Sequence, residues 1–129
     1  MVVDTSALLA VFLAEAERKR FVDLITQAER RCISAVNVLE TGIVLEARRG
    51  EHAGREFDLF LHQAQFEVVP ADSEQVEIAR TAWRKYGKGR HPAGLNFGDC
   101  FAYALAKILG EPILFRGDDF GHTDLAAVR

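Results

Sequence analysis

Four stretches of the chain carry carboxylates that are not explained by solvation of a helix face. Asp4 closes the apolar run Met1-Val2-Val3, and Glu40 ends Val38-Leu39-Glu40. Asp99 lies in Leu95-Asn96-Phe97-Gly98-Asp99, and Asp118-Asp119 follow Leu114-Phe115-Arg116-Gly117. Carboxylates gathered without cations repel one another and take up protons, whereas a hard divalent ion with a preference for oxygen neutralises them. Mg²⁺ is therefore the implied cofactor, with Mn²⁺ as a possible substitute. The chemistry that most needs such a cluster is phosphodiester hydrolysis, in which the metal activates water and stabilises charge on the attacked phosphate. No nucleophilic serine, cysteine or histidine is required.

Each acid also has a structural reading. Asp4 ends a strand, at the edge of the sheet where open α/β folds place ligands, but Asp also favours helix starts. Thr5 or Ser6 could cap that helix instead. Glu40, at 100° per residue, falls among Val36, Ile43, Val44 and Ala47, so it is expected to point from the apolar helix face toward the core. No Lys or Arg on that face offers it a partner. Asp99, at the third position of a helix begun by Asn96, resembles a capping box, while Ala102 and Ala106 would let its face lie close to the element bearing Asp4. The Gly117-Asp118-Asp119 turn is commonplace in loops.

The elements that must position these acids alternate along the chain. Val2-Val3 reads as a strand, Thr5-Ser6 as a helix start and Ala7 to Phe12 as the helix. A second helix is expected from Glu15 to about Arg30, with Phe21, Leu24, Ile25 and Ala28 on one stripe. Cys32-Ile33-Ser34 reads as a strand. Ala35 to Arg49 and His52 to Phe66 are helical by period and could form an antiparallel hairpin about Gly50. Glu67 to Pro70 is a further strand. Asp72 or Ser73 caps a helix ending near Gly87; Lys88 to Gly94 is an irregular basic loop; and Asn96 caps an apolar helix that runs to Leu109 and stops at Gly110. Pro112 to Phe115 is the last strand. Short apolar strands separated by helices indicate a parallel sheet covered on both faces, because parallel neighbours need crossover connections.

Composition bounds the alternatives. The chain has 129 residues, 49% apolar and 27% charged, which predicts one globular domain spanning 1–129. The net charge of -3 excludes a general basic coat for nucleic acid but not a local patch. No apolar run approaches a membrane span and no signal peptide is evident, so a cytoplasmic location is expected. Cys32 and Cys100 sit in apolar segments and form no C-x-x-C motif, so they read as small buried hydrophobes.

One basic segment, Arg84-Lys85-Tyr86-Gly87-Lys88-Gly89-Arg90-His91, directly precedes the helix of Asp99. Cations near a helix C-terminus are favoured in any case. At the rim of an acidic pocket, however, Arg84, Lys88 and Arg90 could hold RNA phosphates, and Tyr86 could stack on an unpaired base. His52, His62, His91 and His122 share no metal-ligand spacing.

Taken together, Val3-Asp4-Thr5-Ser6-Ala7, Val38-Leu39-Glu40, Leu95-Asn96-Phe97-Gly98-Asp99-Cys100 and Leu114-Phe115-Arg116-Gly117-Asp118-Asp119-Phe120 resemble the motifs of PIN-domain ribonucleases of the VapC toxin type, in order and spacing, over essentially the whole chain. The resemblance implies a three-layer α/β sandwich with a short central parallel sheet of four to five strands flanked by helices. It implies an acidic pocket of Asp4, Glu40, Asp99 and Asp119 that holds Mg²⁺ or Mn²⁺, with Asp4 and Asp99 as principal ligands. Thr5, Ser6 and Asp118 would support that pocket from behind. It further implies an RNA substrate, a small VapB-like antitoxin that blocks the pocket, and a homodimer, for which the helical hairpin and Ala7 to Phe12 could supply surfaces. A stand-alone RNA-processing nuclease and a non-catalytic interaction module are the competing readings.

Overall fold

The computed structural model describes residues 1–129. Strand β1 (Val2–Val3) leads into helix α1 (Thr5–Phe12) and then α2 (Arg18–Gln27). Strand β2 (Cys32–Ser34) is followed by α3 (Ala35–Arg49) and α4 (Glu51–Gln63), and β3 (Glu67–Val69) by α5 (Ser73–Tyr86) and α6 (Phe97–Leu109). Strand β4 (Ile113–Leu114) and a 3₁₀ turn over Asp119–His122 complete the chain. All pairings are parallel, in the order β3-β2-β1-β4.

Side chains alternate across a strand, and here the alternation divides the interior in two. Val2, Cys32 and Ile113 share one core with α5 and α6, where Ala79, Ala82, Ala102, Ala104 and Ala106 let the helices approach closely. Val3, Ile33 and Leu114 face the other core with Phe21, Ile25, Leu45, Phe57 and Leu61 from α2, α3 and α4. Because Val2 pairs with both Cys32 and Ile113, a one-residue slip of any strand would exchange the two cores, and burial on both faces fixes the register. The sheet has four strands. The expected second helix is shorter than its periodic pattern, because Ala16 and Glu17 form a turn ahead of it and Ala28 is already extended. The hairpin's second helix likewise stops at Gln63, before left-handed Gln65 (φ 56°).

The chain steps from β1 outward to β2 and β3, then crosses to the far side of β1 to form β4. The direction of winding therefore reverses between β1 and β4, and it is beyond the carboxyl ends of strands at such a reversal that open α/β sheets bind ligands.

Candidate active site

Asp4 lies at this reversal, tied to β4 by its N–H donating to the Leu114 carbonyl (3.0 Å). It is Asp4, rather than Thr5 or Ser6, that caps α1: its Oδ2 accepts the Ser6 backbone N–H at 3.0 Å. The other carboxylate oxygen, Oδ1, is buried and has no hydrogen-bond partner. Burial pushes the Asp4 carboxyl up to about 6, helped by the charge of Glu40 and opposed by the bonds from Ser6.

Asp99 is presented by the capping box that its spacing from Asn96 predicts. The Asn96 N–H donates to Asp99 Oδ2 (3.0 Å), and the Asp99 N–H donates to Asn96 Oδ1 (2.9 Å). Capping and site formation are compatible because the box uses one carboxylate oxygen and leaves the other. Burial pushes Asp99 up to about 7, and the charges of Asp4, Asp119 and Glu40 add to the rise. The four acids implied by the motifs therefore act on one another electrostatically, and none is in an ion pair with a cation. Asp119, at the start of the 3₁₀ turn, is among the charges felt by Asp99; Asp118 is not, and both are exposed. No three of the carboxylates close on one point as a preformed ligand cage.

Glu40 is placed differently from its expected position. The buried face of α3 carries Asn37, Thr41 and Leu45, while Leu39 and Ile43 are 64% and 58% exposed. Glu40 sits half-buried at the margin of that face, since of the apolar positions that suggested an inward direction Val36 and Val44 are only half-buried and Ile43 and Ala47 are exposed. What brings it to the site is Gly98. A Cβ built on Gly98 would lie 2.6 Å from Glu40 Cδ, so only glycine lets the carboxyl rest against the start of α6. Gly98→Ala is expected to leave unfolding free energy nearly unchanged, because the gain in helix propensity of about 0.5–1 kcal/mol offsets the crowding. RNA cleavage should fall roughly tenfold, on the scale of a displaced supporting group. Urea unfolding and initial cleavage rates measured on the same preparation check both halves.

Asn37 is a residue that acid-based reasoning did not single out. It is fully buried, and its Nδ2 lies 3.1 Å from Thr5 Oγ1, 3.1 Å from the Gly98 carbonyl and 3.5 Å from Glu40 Oε1. The neighbours of Asp4 and Asp99 are thus cross-linked through a single amide. Its signal in the sequence is a polar residue three before Glu40, on the same side of the helix. Thr5 is buried in this network, and Ser6 Oγ accepts the Arg116 N–H at 3.0 Å, fastening the segment that leads to Asp118 and Asp119.

The basic segment closes α5 and forms the loop that follows it. Arg84, Lys88 and Arg90 are exposed, and the Arg90 guanidinium stacks on Trp83 at 4.6 Å while its Nε donates to the Arg84 carbonyl (3.3 Å). Tyr86 cannot stack on a base, because it is buried against Tyr103 and His91. The stretch Ala7 to Phe12 is mostly turned inward: Ala7, Leu8, Ala10 and Val11 are buried and Phe12 packs edge-on to Phe57 and Phe60, which leaves Leu9 as its partly exposed member. Both cysteines are free and buried, and no helix is long and apolar enough to cross a membrane.

Comparison with known proteins agrees with this arrangement. The PIN domain family matches residues 1–125. Ribonuclease VapC30 of Mycobacterium tuberculosis is 52% identical over 128 residues, covering 99% of this chain and 98% of that protein. A Ribonuclease VapC of Mycolicibacterium smegmatis is 51% identical, covering 99% of each. Among solved structures, M. tuberculosis VapC20, described as a sarcin-ricin loop cleaving toxin, superposes with a TM-score of 0.81 at 21% identity over 99% of this chain and 98% of its own. A DNA-bound VapBC from Salmonella typhimurium gives 0.73 at 14% identity, covering 99% and 95%. At those identities the structures speak to the fold, and the closer sequences to the lineage: the chain belongs to the PIN-domain family, among its VapC ribonucleases.

Proposed function

We propose that this VapC-type protein is the toxin of a toxin-antitoxin pair, an endoribonuclease that hydrolyses RNA phosphodiesters beyond the carboxyl ends of β1 and β4 with Mg²⁺, or Mn²⁺ in its place. The observation that carries the reading is the uncompensated acid cluster. Asp4, Glu40, Asp99 and Asp119 act on one another without a cation partner, and a buried oxygen of Asp4 is unpaired. Such a donor set of hard oxygens fits a divalent ion, which offsets the burial and the mutual repulsion that otherwise force protons onto Asp4 and Asp99. Asp4 and Asp99 would hold it, with Glu40 and Asp119 completing the pocket. The bound ion would supply an activated water and stabilise charge on the attacked phosphate.

The chain's own residues perform the positioning. Asn37 fixes the segments that carry Asp4 and Asp99, the capping box holds the Asp99 carboxylate against rotation, and Ser6 anchors the approach to Asp119. A small VapB-like antitoxin is the partner that restrains this activity, and a homodimer and a cytoplasmic setting belong to the same reading. Cleavage of RNA is expected to stop in EDTA and to return on adding Mg²⁺ or Mn²⁺. In parallel, Mn²⁺ should raise the Tm of the wild type and not of Asp99→Asn, since a ligand of the native state stabilises by mass action. Cleavage that persists in EDTA would remove the metal from the mechanism.

A further inference from the structure

A groove of about 440 Å³ runs between α5 and α6, next to the acid cluster. Its floor includes Leu95 and Cys100, its walls Trp83 and Phe97, and its rim Arg80 and Lys88. Trp83 is 45% and Phe97 75% exposed, an unusual cost in apolar surface for two aromatic rings. The Trp83 indole is also held in place. A Cβ on Gly87 would fall 2.6 Å from its Cδ1, so the ring edge is seated on the glycine backbone. Arg90 lies over the ring at 4.6 Å, and the indole, 45% exposed, also lines the groove. The groove is joined directly to the acids. Asn96 lines it, and the same residue is bonded in both directions to Asp99.

Charge decides what occupies this groove. Arg80 and Lys88 line it, Arg90 lies against its Trp83 wall, and none of the three is in an ion pair. An apolar slot with a rigid aromatic wall and an unneutralised basic border matches a base with its flanking phosphates, because every base offers a π-face and every linkage a negative charge. We propose that the groove is a nucleobase subsite: an unpaired base of the RNA stacks on Trp83 and Phe97 while its phosphates meet Lys88, Arg80 and Arg90, which sets the scissile linkage beside Asp99. This rests on the RNA-cleavage reading above and extends it to single-stranded substrate.

Trp83 is the sole tryptophan, so its fluorescence reports on the groove directly. The Asp99→Asn protein, expected to bind RNA without cleaving it, is titrated with short oligoadenylate and oligouridylate and with inorganic polyphosphate as a base-free polyanion. The oligoribonucleotides should quench Trp83, and polyphosphate should bind without quenching. Trp83→Leu should weaken oligoribonucleotide binding roughly tenfold with an unchanged salt slope, and Trp83→Phe should restore most of it. Lys88→Gln and Arg90→Gln should weaken both polyanions and make the slope shallower by about one per lost phosphate contact. RNA that is cleaved by the wild type yet leaves Trp83 emission and Trp83→Leu affinity unmoved overturns the subsite and leaves the nuclease reading standing. RNA that is neither bound nor cleaved overturns both. Trp83 emission that shifts with protein concentration and no longer responds to RNA assigns the groove to a second copy of the chain, and that too overturns the proposal.

Discussion

Asp4→Asn and Asp99→Asn are each expected to lower RNA cleavage by at least about a hundredfold, on the scale seen when a principal electrostatic group is removed from an active site. Both changes preserve shape and hydrogen bonding. An Asn at 4 can still accept the Ser6 N–H, and an Asn at 99 can still accept the Asn96 N–H, so the helix starts survive and only negative charge is lost. That isolates the property a divalent cation needs. Glu40→Gln and Asp119→Asn should cost less, roughly tenfold to a hundredfold, the range for groups that support a metal from outside its closest shell. Glu40 is half-buried and Asp119 exposed, so water can replace much of what either supplies. Initial cleavage rates at saturating Mg²⁺, with circular dichroism to verify folding, provide the check. Activity within a few-fold of wild type in both Asp4→Asn and Asp99→Asn would rule out the carboxylate mechanism.

The acids were legible in the sequence for different reasons. Asp4 and Asp99 occupy positions where local rules leave few choices: the end of a buried strand, and the third residue after an N-cap. Both positions are also near where a parallel sheet opens toward ligand, so reading the local structure also pointed to the candidate site. Glu40 was found by a pattern that pointed the wrong way. Its apolar neighbours Ile43 and Ala47 are exposed and Val36 and Val44 only half-buried, and periodicity cannot distinguish an apolar face that seeks the core from one that lies at the surface. Asn37 and Gly98 were beyond that reasoning because their roles exist only between elements: one amide reaches Thr5 and Gly98 across the fold, and one missing Cβ makes room for a carboxyl from another helix. The strand order was equally hidden, since alternation predicts which residues face each core but not that β4 inserts beside β1.

The acid cluster should also reverse the usual dependence of stability on pH. In the unfolded chain Asp4 and Asp99 ionise near 3.8, whereas the folded protein holds their protons up to about 6 and about 7, chiefly because both are buried. Between those limits the native state binds more protons than the unfolded chain, so without metal its stability falls as pH rises. Between pH 5 and pH 8 the Asp4 shift alone corresponds to about 1.4 kcal/mol, and on this basis the Tm in EDTA should be at least about 5 °C higher at pH 5 than at pH 8. The carboxyls of Glu67 and Asp124 are shifted the other way, downward, by Arg30 for the first and by Tyr103 and Lys107 for the second. Their contribution is lost only as pH falls through those lowered values, below this window. Asp99→Asn should then be more stable than wild type at pH 8 in EDTA, with a flatter pH profile, although it replaces a nearly buried residue of a capping box. Mn²⁺ should raise the wild-type Tm most at pH 8, where it has no protons to displace. A wild-type Tm in EDTA that does not fall from pH 5 to pH 8, together with a destabilised Asp99→Asn at pH 8, would mean that Asp4 and Asp99 do not hold buried protons without metal, and the case for a cation that replaces those protons would go with it.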